Sequence, residues 1–195
     1  MIKFTIQPTK ASMKSKESEI IELMQNERTR EKGLRLLMDA YQSRLYWHIR
    51  RMIVDHDLAQ DILQETFIKV YQNFHQFKQN SLLYTWLYRI ATNESLQQLQ
   101  KLKKMQKTDE NAEYYLQNLV ADNVENDADK IQILLQKAIQ SLPEKQKLVF
   151  TMRYYDELPY EELSKILDMS VGTLKTNYHY ARQKIEDYIK ENYEA

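Results

Sequence analysis

Only two glycines and three prolines interrupt this chain of 195 residues. That scarcity constrains the fold more than any other feature, because a sheet-rich fold needs many tight turns built on such residues. Apolar residues instead recur at three-four spacing over long stretches, the period of a helix with one buried stripe. Leu34, Leu37, Met38, Tyr41, Leu45, His48, Ile49 and Met52 form one stripe. Leu58, Ile62, Leu63, Phe67, Val70, Tyr71 and Phe74 form a second, and Leu83, Trp86, Leu87, Ile90, Ala91, Leu96 and Leu99 a third. Three long helices with such stripes predict a compact bundle, and the chain reads as all-α.

Residues 1–14 read as a weakly structured tail and 17–26 as a short helix. Asn26 or Thr29 is placed to cap the helix that follows, Asp55 or Asp57 the second and Ser81 the third, which runs to about Lys103. Gly33 lies either near a helix start or at a point of close packing. Between Lys104 and Asp129 the apolar period fades, and residues 106–129 hold seven acidic side chains against one basic. That stretch reads as an acidic flexible linker with a sticky midpoint at Tyr114, Tyr115, Leu116 and Leu119. Beyond it, Ile131, Leu134, Leu135, Ala138, Ile139 and Leu142 stripe another helix. Pro143 fits the first turn of the next, with Ser141 or Leu142 as its cap. The predicted division is a helical domain over 15–104, a linker over 105–129 and a second helical domain over 130–195, two bodies loosely joined.

The segment Pro159–Arg182 reads as two short helices around a tight corner at Asp168-Met169-Ser170. Ser164 is the small contact position, Leu163, Ile166 and Leu167 anchor the first helix, and Leu174 and Tyr178 anchor the second. Ser170 is placed to cap the second helix, and Gly172 to let the backbone approach closely. A helix-turn-helix places such a second helix in a DNA groove. Val171, Thr173, Lys175, Thr176, Asn177 and His179 would then offer donors, acceptors and methyl groups to base edges, and Lys175, Arg182 and Lys184 would meet phosphates.

Lys plus Arg and Asp plus Glu balance at 28 each, so bulk charge does not mark a strong nonspecific DNA binder. The first block, 15–105, is mildly basic, with 14 basic and 11 acidic side chains. Cysteine is absent, which excludes a disulfide framework and a thiolate metal site. The N-terminus lacks the apolar core of a signal peptide, and no run approaches the roughly 20 apolar residues needed to span a bilayer. The expectation is a cytoplasmic protein. No phosphate-cradling loop or zinc-protease motif appears, and no cofactor or small-molecule substrate is indicated.

Four words carry a family resemblance: Asp57-Leu-Ala-Gln-Asp-Ile-Leu-Gln-Glu-Thr-Phe-Ile-Lys-Val-Tyr71, Trp86-Leu-Tyr-Arg-Ile-Ala-Thr-Asn93, Leu142-Pro-Glu-Lys-Gln146 and Ser170-Val-Gly-Thr-Leu-Lys-Thr176. In this order, with an acidic linker between blocks, they closely resemble the group-four, extracytoplasmic-function sigma factors of bacterial RNA polymerase. The likeness covers about 18–104, as region two, and 130–192, as region four.

The resemblance implies that Asp61, Gln64, Glu65 and Lys69 grip the clamp helices of the polymerase largest subunit, and that region four meets the polymerase flap. It implies a pocket for a flipped minus-ten base in the loop 77–82, lined by Phe77, Asn80 and Ser81. Tyr88 and Arg89 are the better candidates for an exposed role on melted strand, Trp86 for core packing. Asn93, Gln97, Gln100, Lys101 and Lys104 would meet the upstream duplex of the minus-ten element. The family usually carries an Asp and several Arg where this chain has Gln97, Gln100 and Lys101, and commonly an Arg or another strong donor where it has Asn177. The last module would read the minus-thirty-five element. The resemblance further implies no catalysis by the chain itself, promoter DNA and core polymerase as partners, action at the nucleoid, and an anti-sigma factor, often at the inner membrane, as a silencing partner. Two other readings stay open: a stand-alone regulator with a LuxR-like helix-turn-helix, and a helical scaffold for a protein partner.

Overall fold

The computed structural model describes residues 10–53, 55–106 and 127–193. Four helices form a first group: α1 (Lys10–Gln25), α2 (Arg30–Met52), α3 (His56–Asn73) and α4 (Leu83–Gln106). Four more form a second: α5 (Asp127–Ser141), α6 (Glu144–Tyr154), α7 (Tyr160–Leu167) and α8 (Val171–Tyr193). No strand occurs among the described residues. Residues 10–14, expected in a loose tail, belong to α1. The proposed linker falls largely on 107–126, outside the described residues, and its ends belong to α4 and α5.

In the first group α2 packs on α1, α3 and α4, and α3 packs on α4. The stripe of α2 is buried as its spacing requires, with Leu37, Leu45 and Ile49 wholly out of solvent. Asp55 is the cap of α3: its carboxylate accepts the Leu58 N–H at 2.8 Å. At α2 neither expected side chain caps. Thr29 holds the cap position, but its hydroxyl donates to the Leu23 carbonyl, and Asn26 accepts from Arg28 N–H instead. Gly33 is a close-packing point. A Cβ there would stand 2.8 Å from Met24 N, so only glycine lets α1 cross α2 this tightly.

In the second group α5, α6 and α7 all pack on α8. Pro143 and Pro159 each stand at the cap position itself, one residue before the helix they introduce, rather than within its first turn. The expected Ser141 or Leu142 cap for α6 is therefore displaced. Ala138, Ile139, Leu142, Phe150, Ala181 and Ile185 form this group's own core.

The two groups are not loosely joined. α4 packs on α7 and α2 on α6. Val149, Met152, Leu158, Leu163, Ile166 and Leu174 belong to the same apolar cluster as Leu37, Leu87 and Tyr88 of the first group. Apolar faces placed side by side in water associate unless something else covers them. The stripes of α4 and α7 do so here.

Candidate nucleic-acid interface

The helix-turn-helix is built at the end of α7. Asp168 takes the left-handed conformation (φ 52°, ψ 47°) and stops the helix. Ser164 Oγ donates to the Met169 carbonyl at 2.6 Å, tying the corner to α7. Ser170 Oγ accepts the Thr173 N–H at 3.1 Å, so the expected cap of α8 forms. Leu163 and Leu174 are wholly buried beneath the corner, and Tyr178 stacks on Phe150 with ring centroids 5.7 Å apart. A Cβ at Gly172 would lie in ordinary contact, 3.8 Å from Ser170 Oγ.

These anchors leave the opposite face of α8 outward. Thr173, Lys175, Thr176, His179 and Arg182 are exposed, and Val171 and Asn177 half-buried. Several are engaged with their own helix: Thr176 Oγ1 donates to the Gly172 carbonyl, and Asn177 Nδ2 to that of Thr173. Arg182 donates twice to Glu186 Oε1, at 2.8 and 3.2 Å; this hydrogen bond, then the paired charge, raises the guanidinium pKa and lowers that of the carboxylate. Those two bonds occupy part of a guanidinium that carries five N–H donors. Lys175 Nζ lies 5.8 Å from the Tyr160 ring centroid, a cation held over an aromatic face.

On α4, Arg89, Asn93, Gln97, Gln100, Lys101 and Lys104 are exposed. Tyr88, expected to be exposed, is not. It is 5% accessible, its ring 4.8 Å from that of His48, and burial followed by the Asp156 charge drives its hydroxyl pKa well above the usual phenol range. Phe77 departs in the same way: it is buried against Phe74 and Trp86, with centroids 5.7 and 5.4 Å away, and is part of the loop's core rather than a pocket lining. Asn80 is exposed and Ser81 half-buried, and the loop turns through Gln79 at φ 57°. Trp86 is half-buried in that same aromatic group.

On α3, Asp61, Gln64 and Glu65 form an exposed row. Lys69 is half-buried and bound to Glu94 at 2.6 Å, with Glu65 at 3.8 Å, so it braces α3 on α4 rather than standing free. Ile68, which the sequence analysis does not single out, is 49% exposed at the end of that row. The signal was there: an isoleucine three and four residues from Glu65 and Gln64, outside the buried stripe.

Arg89, Thr92, Asn93 and Leu96 of α4 face Leu148 and Met169 across a cleft of about 250 Å³ between the two groups. Among the described residues no group of three or more His, Asp or Glu side chains is placed to hold a metal, and no helix is long and apolar enough to cross a membrane.

Two family models match the chain: "Sigma-70 region 2" over residues 37–105 and "Sigma-70, region 4" over 132–185. The chain is 34% identical over 165 residues to the ECF RNA polymerase sigma factor SigW of Bacillus subtilis, covering 80% of this chain and 88% of the relative. It is 31% identical over 164 residues to the RNA polymerase sigma-H factor of Pseudomonas aeruginosa, covering 80% of this chain and 85% of that relative. Its fold is similar to that of the sigma factor RpoE solved with the anti-sigma factor NepR from Bartonella quintana, with a TM-score of 0.62 at 21% identity, covering 83% of this chain and 97% of that one. Matched across both helical groups by family models and by relatives over most of their length, the chain belongs to the sigma-70 family, among the extracytoplasmic-function sigma factors of RNA polymerase.

Proposed function

We propose that this chain directs core RNA polymerase to promoters with two elements, the first helical group reading the minus-ten region and the second the minus-thirty-five region. The observation that carries the reading is the outward face of α8: the corner buries Leu163 and Leu174 and turns Thr173, Lys175 and Thr176 toward solvent, where side chains in the first turns of a recognition helix meet base edges. Asn93, Gln97, Gln100, Lys101 and Lys104 on α4, with Arg89, supply the second DNA surface. Asn80 and Ser81 stand at the loop that would take an extruded base. The glutamines offer amide pairs that suit adenine but neutralise no phosphate, so DNA affinity of the free chain is low and polymerase supplies the rest.

The row of Asp61, Gln64, Glu65 and Ile68 docks on polymerase, an apolar residue beside polar ones as in protein interfaces. The chain performs no catalytic step, which belongs to the polymerase. It acts at the nucleoid as two domains, 15–104 and 130–195, joined through 105–129. An anti-sigma factor silences it, as the solved relative in complex with one suggests. A stand-alone LuxR-like regulator is not favoured, because the family models match both groups rather than the helix-turn-helix alone.

The test is association with core polymerase. Changing Asp61 and Glu65 to Lys abolishes it while circular dichroism stays that of the parent. Association that survives in the folded double variant contradicts the assigned docking face.

A further inference from the structure

Trp47 on α2 stands outside both apolar cores. It is 54% exposed, more than any other large hydrophobic side chain among the described residues. It is nevertheless held. Its ring meets that of Tyr46 edge-on at 5.4 Å, and the Tyr46 ring meets His56 edge-on at 5.9 Å. Tyr46 Oη lies 2.7 Å from His56 Nδ1, and Gln60 Nε2 lies 2.9 Å from His56 Nε2. One line of contacts therefore runs from the indole on α2 onto the first turns of α3. An exposed indole adds little to the burial that stabilises the fold, whereas a tryptophan held in place is among the residue types that most often anchor a protein interface. Holding it beforehand lowers the ordering cost of binding.

These contacts join the row proposed to dock on polymerase. His56, Gln60, Gln64 and Ile68 follow one another at every fourth residue, which sets them along one line of α3, and all are exposed. At 1.5 Å per residue that line runs about 18 Å. Ile68 is the apolar residue at one end, and Trp47, carried by Tyr46, lies past the other. Asp57, Asp61 and Glu65 form a second exposed line beside the first, so the flank is acidic. Lys69, which would offset it, is half-buried on Glu94 at 2.6 Å. A partner helix of about twelve residues laid along α3 meets both apolar ends at once. A two-fold contact between copies of this chain would instead set the acidic line against itself.

We infer that Trp47 is a second apolar anchor for core polymerase, so that the docking surface runs from Ile68 along α3 and over the His56–Tyr46 pair onto α2. The inference rests on the docking role proposed above for Asp61, Gln64, Glu65 and Ile68. The polymerase surface it fits is helical, with an apolar socket for the indole and cations facing the acidic flank.

The full chain carries no cysteine, so Lys32→Cys, exposed near the other end of α2, takes one dye for equilibrium binding to core polymerase. Trp47→Ser in that chain keeps the parent's helicity and weakens binding at least about ten-fold, and Trp47→Phe, which keeps an aromatic ring, weakens it less. A second readout needs no substitution: hydroxyl-radical oxidation of Trp47, followed by mass spectrometry, falls several-fold when polymerase is added. Unchanged affinity in folded Trp47→Ser, or equal oxidation of Trp47 in the free and bound chain, overturns the anchor. Protection that follows the chain's own concentration without polymerase marks a contact between copies and overturns it too. The double change of Asp61 and Glu65 to Lys is measured alongside. Loss of binding in the double variant alone overturns the Trp47 anchor and leaves the row in place. Loss in Trp47→Ser alone supports the anchor and strikes at the row. A parent chain that never binds polymerase overturns both.

Discussion

Thr85 Oγ1 donates a hydrogen bond to Glu162 Oε2 across 2.5 Å, joining two buried side chains 77 residues apart. Glu162 also accepts from Lys165 Nζ at 3.0 Å, so its carboxylate is satisfied on both oxygens. Replacing Glu162 by Ala strands the Thr85 hydroxyl, and the expected loss is about 1–3 kcal/mol of unfolding free energy in urea titration. Glu162→Gln keeps an acceptor and costs less. Equal losses in the two variants would mean that the hydrogen bond is not what matters there.

The two glycines behave oppositely. At Gly33 a Cβ meets the Met24 backbone nitrogen at 2.8 Å and Met24 Cγ at 2.9 Å, and α1 must move away to admit it. Gly33→Ala is expected to destabilise by about 1–3 kcal/mol in spite of the better helix propensity of alanine. At Gly172 the nearest atom is Ser170 Oγ at 3.8 Å. Gly172→Ala is expected to leave stability unchanged or raise it by up to about 1 kcal/mol. Thermal melting of both variants, side by side, reads the contrast.

Within each helix the sequence was legible because the information is local. The stripe of α2 buries Leu37, Leu45 and Ile49 as spaced, and Asp55 and Ser170 cap as placed. Contacts between the groups were not legible, because periodicity says that a face is apolar and not what covers it. Tyr88 looked exposed because it lies beside the stripe of Leu87 and Ala91; its partner, His48, sits on another helix, and Asp156 lies 108 residues beyond that. Phe77 failed for the same reason, drawn inward by Phe74 and Trp86. Lys69 read as free charge, although Glu94, one helix away, holds it.

Two buried phenols set an alkaline limit. Burial is the first cause that raises the pKa of Tyr41, followed by its hydrogen bond to Glu17, and burial likewise leads for Tyr88. Both folded values lie above the unfolded value near 10, so the folded chain keeps protons that the unfolded chain releases. Their contribution is whole below about pH 10 and is lost as pH rises beyond it, by up to about 1.4 kcal/mol per pH unit for each tyrosine. Tyr41→Phe is expected to flatten the fall in stability between about pH 10 and 11.5 by one such increment. Urea midpoints across that range provide the check, and an unchanged slope would count against the burial of this hydroxyl.

Ile68 offers a separation of stability from binding. Its side chain is 49% exposed beside Asp61, Gln64 and Glu65. Ile68→Asp is expected to change stability by no more than about 0.5 kcal/mol and to weaken core polymerase binding by about 2 kcal/mol, roughly thirty-fold. Equilibrium binding of the labelled chain to core polymerase measures it, and undiminished affinity would move the docking surface off α3.

Run-off transcription by core polymerase on a library of random promoters, with and without this chain, reads promoter selection itself. The chain is expected to enrich one pair of sequence elements at fixed spacing, and Lys175→Glu on α8 to erase the upstream element while the downstream one persists. Transcription that the chain leaves unchanged, together with sequence-specific duplex binding by the chain alone, would contradict such selection.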